Sequence, residues 1–249
     1  MQGCPGAGVA IALLVLLGVE ALLHSDWLMH RLRSVFAAGR AFDKVLYVEQ
    51  QPPRLLILGN SRIDNGIDPV TLADRIQPGM AGFNLGLPGA NSTTLLGIVK
   101  RLDERGHFGP GRVERVLVGL DEGLLQGGDS LGYEIFFADK TLKESGLIGY
   151  LRTHVHLWGY ADNLKQLREP AKLIQFGRAL LGPIEPTGGG AAERLGYRPG
   201  FSAANQDAEQ VERQEAGSTA PPDGTVVADF WVMVQLLQQR GVSVAVIFP

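Results

Sequence analysis

Four short apolar runs, set among stretches with helical spacing, limit this fold more than any other feature. They are Arg54 to Leu58, Ala81 to Leu85, Val113 to Leu120 and Val242 to Phe248. Each has the length of a strand, and each reads as buried on both faces. Between the first two, Asp68 or Pro69 opens a helical pattern carrying Val70, Leu72, Ala73 and Ile76. Aspartate is a good N-cap, and proline suits the first helical turn. Between the second and third, Asn91 or Ser92 caps a helix running to about Glu104, with Leu95, Leu96, Ile98, Val99 and Leu102 inward. Strands alternating with helices predict an α/β domain around a parallel sheet, because parallel neighbours need crossover connections.

After Asp121 this rhythm breaks. The segment from about residue 122 to 224 is too long for a plain connection and reads as an insert. Part of it is helical: Tyr160 to Leu181 has apolar residues at suitable spacing, with Pro170 kinking or splitting the pattern. Gly182 to Pro222, rich in Gly, Pro, Ala and polar residues, reads as mobile. Val226 to Gln239 restores a helix, which Gly241 ends before the fourth strand. That strand stops at Pro249, where an open α/β sheet needs a ligand-binding loop, so the chain reads as cut short there.

The amino end is different in kind. Gly6 to Val19 is uncharged and apolar, Glu20 interrupts it, and Ala21 to Leu23 resume it. The unbroken run is shorter than the roughly 20 residues of a spanning helix. It fits an uncleaved signal anchor, since no small-x-small cleavage site follows; a buried core helix is the alternative. Arg31, Arg33 and Arg40 follow the run and no Lys or Arg precedes it, an arrangement that on charge alone leaves the domain in the cytoplasm. The expected division is an anchor over 1–25, a juxtamembrane helix and linker over 26–53, and the α/β domain over 54–249.

Composition removes several function classes. The net charge of −3 over 249 residues, with no basic stripe interleaved with aromatics, argues against nucleic acid as a partner. The single cysteine, Cys4, allows no internal disulfide and no cysteine-based zinc site. The loop around Pro88 to Thr94 lacks the lysine of a phosphate-binding P-loop, and no Gly-x-Gly-x-x-Gly follows the first strand. Ile63 stands where a Gly-x-Ser-x-Gly nucleophile elbow has its second glycine, which argues against an ordinary α/β-hydrolase. No cofactor or metal is expected.

The candidate chemistry lies at the end of the first strand. Leu55 to Leu58 run into Gly59, Asn60 and Ser61. A serine where a strand turns towards a helix is presented at the carboxyl edge of the sheet; the plainer reading is a turn serine bonding its own backbone. The segments LLILGNSRIDNGI, FNLGLPGANSTTLL and VERVLVGLDEG together resemble the SGNH/GDSL hydrolase superfamily. More narrowly they resemble its membrane-anchored bacterial branch, related to polysaccharide O-acetyltransferases and esterases. The resemblance covers Arg54 to about Glu122 and Val226 to Phe248. It implies a flavodoxin-like three-layer sandwich and a catalytic Ser61. Gly59-Asn60-Ser61 matches the first block, and Asn84, Gly86 and Gly89 match the second. The backbone N–H groups of Ser61 and Gly89 become oxyanion donors, with Asn60 and Asp121 beside them.

Two departures stand out. The third block of the superfamily has asparagine where this chain has Asp121, and an ionised aspartate accepts hydrogen bonds without donating. Asp121 therefore orients another group, stays protonated, caps a helix or marks lost activity. The superfamily also places its histidine, three residues after an aspartate, beyond the last strand, and the sequence given ends before that place. His24, His30, His107, His154 and His156 are the histidines present; His154 and His156, with Asp162 beyond, are a weaker source of a base.

The expected function is thus a serine esterase or O-acyltransferase on acetyl or other small acyl esters of envelope or exported polysaccharide, working without a cofactor. From the resemblance alone, the domain is expected outside the cytoplasmic membrane, tethered by a single-pass anchor. A non-catalytic module binding glycan or a partner in an export complex is the rival, and a nucleotide-binding doubly wound domain is the further alternative.

Overall fold

The computed structural model describes residues 5–23, 39–127, 170–182, 194–199 and 221–248, with residues 31, 155, 157 and 168. Four strands form one sheet: β1 (Leu55–Gly59), β2 (Gly82–Gly86), β3 (Arg115–Gly119) and β4 (Ser243–Ile247). All neighbours are parallel, in the order β2-β1-β3-β4. That order, with helices on both faces, is consistent with a flavodoxin-like fold. Seven helices are described: α1 (Pro5–Leu23), α2 (Gly39–Gln50), α3 (Ser61–Gly66), α4 (Pro69–Ile76), α5 (Ser92–Glu104), α6 (Pro170–Leu181) and α7 (Gly224–Gln239).

The helix starts follow from local chemistry. The Asp68 carboxylate accepts from Val70 N at 3.0 Å, and Pro69 takes the first helical position, where a missing N–H costs nothing. Asn91 accepts from Thr94 N at 3.1 Å, and Asp223 from Thr225 N at 2.8 Å. Pro170 begins α6 rather than kinking a longer described helix. The end of α6 is capped from a distance: the Arg31 guanidinium donates to the carbonyls of Leu180 at 2.7 Å and Gly182 at 3.1 Å, a favourable place for a cation.

The two faces of the sheet are unequal. Leu56, Leu58, Phe83, Leu85, Val116 and Val118 point to one side, where α2, α5 and α7 cover them in the main core. Leu55 and Ile57 point to the other, against a small cluster of Ile63, Ala73 and Met80 from α3, α4 and the loop before β2.

Several expectations change. Helix α2 is no mere juxtamembrane linker: Ala41, Phe42, Val45 and Val48 are buried in the main core, and Tyr47 stacks on Phe83 with ring centroids 4.7 Å apart. The stretch expected as a juxtamembrane helix and linker, residues 26–53, lies partly outside the described residues. Strand β4 is not buried as its sequence suggested, because its outer edge has no neighbour among the described residues; Val246 and Phe248 are exposed. Within the segment expected to be mobile, residues 194–199 lie along the free edge of β2, with Asn84 N donating to Leu195 O at 2.9 Å. The rest of that expectation falls mostly outside the described residues.

Helix α1 spans 19 residues, about 28 Å at 1.5 Å per residue. Glu20 sits in its last turn and accepts from Leu157 N at 3.0 Å. Among the described residues no helix is long and apolar enough to cross a membrane.

Candidate functional site at the carboxyl rim

The carboxyl ends of β1, β2 and β3 share one feature that the sequence reading passed over. Each of these strands ends in glycine: Gly59, Gly86 and Gly119. All three lie under the short helix α3. A Cβ on Gly119 would overlap the Cγ1 and Cδ1 atoms of Ile63. One on Gly59 would come within 2.8 Å of Ile63 Cβ, and one on Gly86 within 2.8 Å of Asp64 Cα. Real Cβ atoms do not approach so closely, so a side chain at Gly86 would push the backbone of α3 from the sheet, and one at Gly59 or Gly119 would displace the Ile63 side chain that packs there. The motif therefore seats a helix of six residues directly on the strand ends.

Buried polar groups complete that seat. Asn84, fully buried on β2, donates through Nδ2 to the carbonyls of Ile63 and Ile67, both at 2.7 Å, and accepts from Gly86 N at 2.8 Å. Ile63 O also accepts from Ile67 N at 3.3 Å, whereas Ile67 O is a carbonyl that the end of the helix leaves unsatisfied. Lys44 of α2 donates to Asp64 Oδ1 at 2.7 Å and to Gly86 O at 2.6 Å, with both side chains fully buried. In the insert, Arg198 N donates to Asp64 O at 3.0 Å.

Ser61 is the first residue of α3 and is half-buried. Its hydroxyl has no hydrogen-bond partner among the described residues, so it does not satisfy its own turn. Gly89 lies in the neighbouring loop. Ala90 N donates to Leu87 O at 3.1 Å, and Gly89 has φ +70°. Proline at the second place and a left-handed glycine at the third define a type II turn. Leu87 N donates to Gly59 O at 2.9 Å, which ties this loop to the end of β1. Ser61, at the start of α3, and Gly89, in the turn after β2, thus follow neighbouring strands on the same rim.

Asn60 and Asp121 are brought together and occupy each other. The Asn60 side chain caps α3, accepting from Arg62 N at 3.0 Å. Its Nδ2 donates to both oxygens of Asp121, at 2.6 and 2.7 Å. Asp121 Oδ1 also accepts from Leu124 N at 2.9 Å, and the Arg62 guanidinium stands 3.5 Å from Oδ2. Of the roles open to Asp121, two fit this geometry: its carboxyl oxygens hold Asn60, and Oδ1 caps the helical turn that follows by accepting from Leu124 N. The following 3₁₀ turn, Gly123–Leu125, is pinned in its turn, since the Ser92 hydroxyl donates to Leu124 O at 2.8 Å.

The expected bases fare differently. His107 lies on the loop entering the amino end of β3, the rim opposite Ser61. His24, His30, His154, His156 and Asp162 lie outside the described residues. No group of three or more His, Cys, Asp or Glu side chains gathers as metal ligands among the described residues.

The sequence reading missed Lys44, although a signal was present. Ala41, Lys44, Val45 and Val48 fall on one helical stripe. A lysine on such a stripe is a charge drawn into the interior that needs a partner there.

The fold and rim define the class of molecule: an α/β protein with a parallel sheet and a polar cluster at the carboxyl edge. No family model matches the chain, and neither a curated protein nor a solved structure matches it.

Proposed function

We propose that this protein is a serine-dependent esterase or O-acyltransferase acting on small acyl esters of envelope or exported polysaccharide. The observation that carries this reading is the state of Ser61. Its hydroxyl stands unengaged among the described residues, half-exposed at the helix start that follows β1. Turn serines usually bond back to nearby backbone. A hydroxyl kept free at the carboxyl rim, where open α/β sheets bind ligands, is available to a substrate.

In the proposed reaction, Ser61 Oγ attacks the ester carbonyl and loses its proton to a base. The tetrahedral intermediate collapses with loss of the sugar alcohol, leaving an acyl-serine. Water or a second sugar hydroxyl then takes the acyl group. The N–H groups of Ser61 and Gly89 supply the oxyanion contacts, each typically worth about 3 kcal/mol in the transition state. The SGNH resemblance implies a histidine as that base, and no histidine among the described residues stands beside Ser61 to take the part. The same resemblance supports a finer fold assignment, SGNH-like, and an extracytoplasmic site tethered at the inner membrane. The exposed apolar side chains of α1, Val9 and Ile11 among them, support the tether.

One observation favours the rival, a non-catalytic module that binds glycan or an export partner. The Asn60 amide, which could have helped hold an oxyanion, is committed to Asp121. A serine-reactive fluorophosphonate separates the two readings. Labelling of the wild type and not of Ser61→Ala supports an activated hydroxyl. No labelling of the folded protein, or equal labelling of both, favours the binding module.

A further inference from the structure

A fully buried ammonium needs a reason. Lys44 sits on the apolar stripe of α2, where leucine or methionine would fill the same space without desolvating a charge. A buried ion pair is weak grounds for stability, since an apolar pair of similar volume often does as well or better. What Lys44 offers is direction. Its ammonium makes two short bonds, to Asp64 Oδ1 at 2.7 Å and to Gly86 O at 2.6 Å. Asp64 lies one helical turn after Ser61 on α3. Gly86 ends β2, three residues before Gly89. One cation thus holds both walls of the candidate site: the helix with the hydroxyl and the strand end from which the turn with the amide departs.

We propose that Lys44 is a positioning residue that fixes the spacing between Ser61 and the Gly89 amide through its paired contacts with Asp64 and Gly86. This rests on the acyl-serine reading for its chemical meaning, but the spacing itself is a separate claim. Lys44 touches no substrate. It keeps the short helix in register with the loop after β2, which Leu87 N in turn ties to Gly59 O at the end of β1. A shift of about 1 Å between reacting groups costs on the order of 100-fold in rate, so one such tie has kinetic weight.

Two variants test this. Asp64→Asn keeps the shape and weakens the pull on the ammonium. Lys44→Met with Asp64→Leu removes both charges together, so neither is stranded. Both are compared with wild type by thermal unfolding, by fluorophosphonate labelling over a range of probe concentrations, and by amide hydrogen exchange at residues 61–64 and 86–90. Asp64→Asn, which leaves the buried ammonium without its countercharge, should melt lower than wild type, whereas the double variant should keep a melting temperature within a few degrees of it. Both should show an at least tenfold lower labelling rate at saturating probe, an unchanged half-saturating concentration, and at least tenfold faster exchange in both segments. A folded variant that labels and exchanges like wild type overturns the proposal. If wild type does not label, the acyl-serine reading fails, and exchange in the two segments alone decides whether Lys44 sets the spacing.

Discussion

The two faces of the sheet are held by different physics. On one, α2, α5 and α7 bury a continuous apolar core against Leu56, Leu58, Phe83, Leu85, Val116 and Val118. On the other, Leu55 and Ile57 meet Ile63 of α3, Ala73 of α4 and Met80 of the loop before β2, a far smaller buried cluster among the described residues. What α3 lacks in apolar burial it gains in directed contacts from Lys44, Asn60 and Asn84. Burial is non-directional and tolerates small shifts, whereas hydrogen bonds fix a position. The face that carries the candidate serine is the one built for placement, and the face behind it is the one built for stability.

That contrast can be broken with substitutions on each side. The largest expected effect is on the thick face. Phe83 is fully buried and stacked on Tyr47. Phe83→Ala should cost about 3–5 kcal/mol of unfolding free energy, measured by urea titration, while amide exchange at residues 61–64 slows or quickens only with global stability. Gly86→Ala comes next, at about 1–3 kcal/mol for an overpacked site. Its Cβ would press on the backbone of Asp64 and stand 2.9 Å from Asn84 Oδ1, and neither can swing away. Here exchange in α3 should quicken well beyond the loss in global stability. If the two substitutions gave the same local pattern, the division between the faces would be wrong.

Asp121→Asn sharpens the comparison within the rim. Asparagine stands at this place in the family that the sequence resembles, so on resemblance alone the change should improve an oxyanion site. The geometry argues otherwise. Asp121 presents two acceptors to one amide, and an asparagine would keep one of them and turn its own N–H₂ group towards the Asn60 amide or the Leu124 N–H, donor against donor. The expected result is a loss of about 1–2 kcal/mol, the worth of a charge-assisted bond, and no gain in fluorophosphonate labelling. A variant that labels faster than wild type would mean that Asp121 restrains the site rather than supports it.

How legible all this was depends on the range of the interaction. Periodic burial and caps are local, and they located α4, α5, α7 and the four strands to within a few residues. Helix α3 was not seen, because six residues with Arg62, Asp64 and Asn65 among them carry no helical stripe; tertiary seating on three glycines makes it a helix. Those glycines were legible as strand ends, but their common purpose needs the sheet order. Strand β4 looked buried because its residues are apolar, and sequence does not say whether a strand has a neighbour. Ser61 was legible as a serine at the turn after β1, its pairing with Gly89 came from the SGNH resemblance, and the Asn60–Asp121 lock joins positions 61 residues apart and could not be read from either alone.

The smallest expected effect lies at the opposite rim and serves as the control. His107 has its pKa lowered from the ordinary value of 6.5, chiefly by burial. Glu49 opposes the shift, and Arg112 and Arg105 reinforce it. Burial strips water from the ring, which disfavours the charged form, and Nδ1 is itself buried without a partner among the described residues. The folded protein therefore binds this proton less readily than the unfolded chain. Stability from this source is fully present above about pH 6.5 and is lost as the pH falls below it, towards the lowered folded value. Urea unfolding of wild type and His107→Gln at pH 7.5 and 5.5 isolates the effect, because the carboxylates titrate alike in both. Wild type should weaken more than the variant on acidification, while fluorophosphonate labelling, normalised to folded protein, should have the same pH profile in both. A labelling profile that moved with His107 would couple the two rims and end the separation on which the comparison of the faces relies.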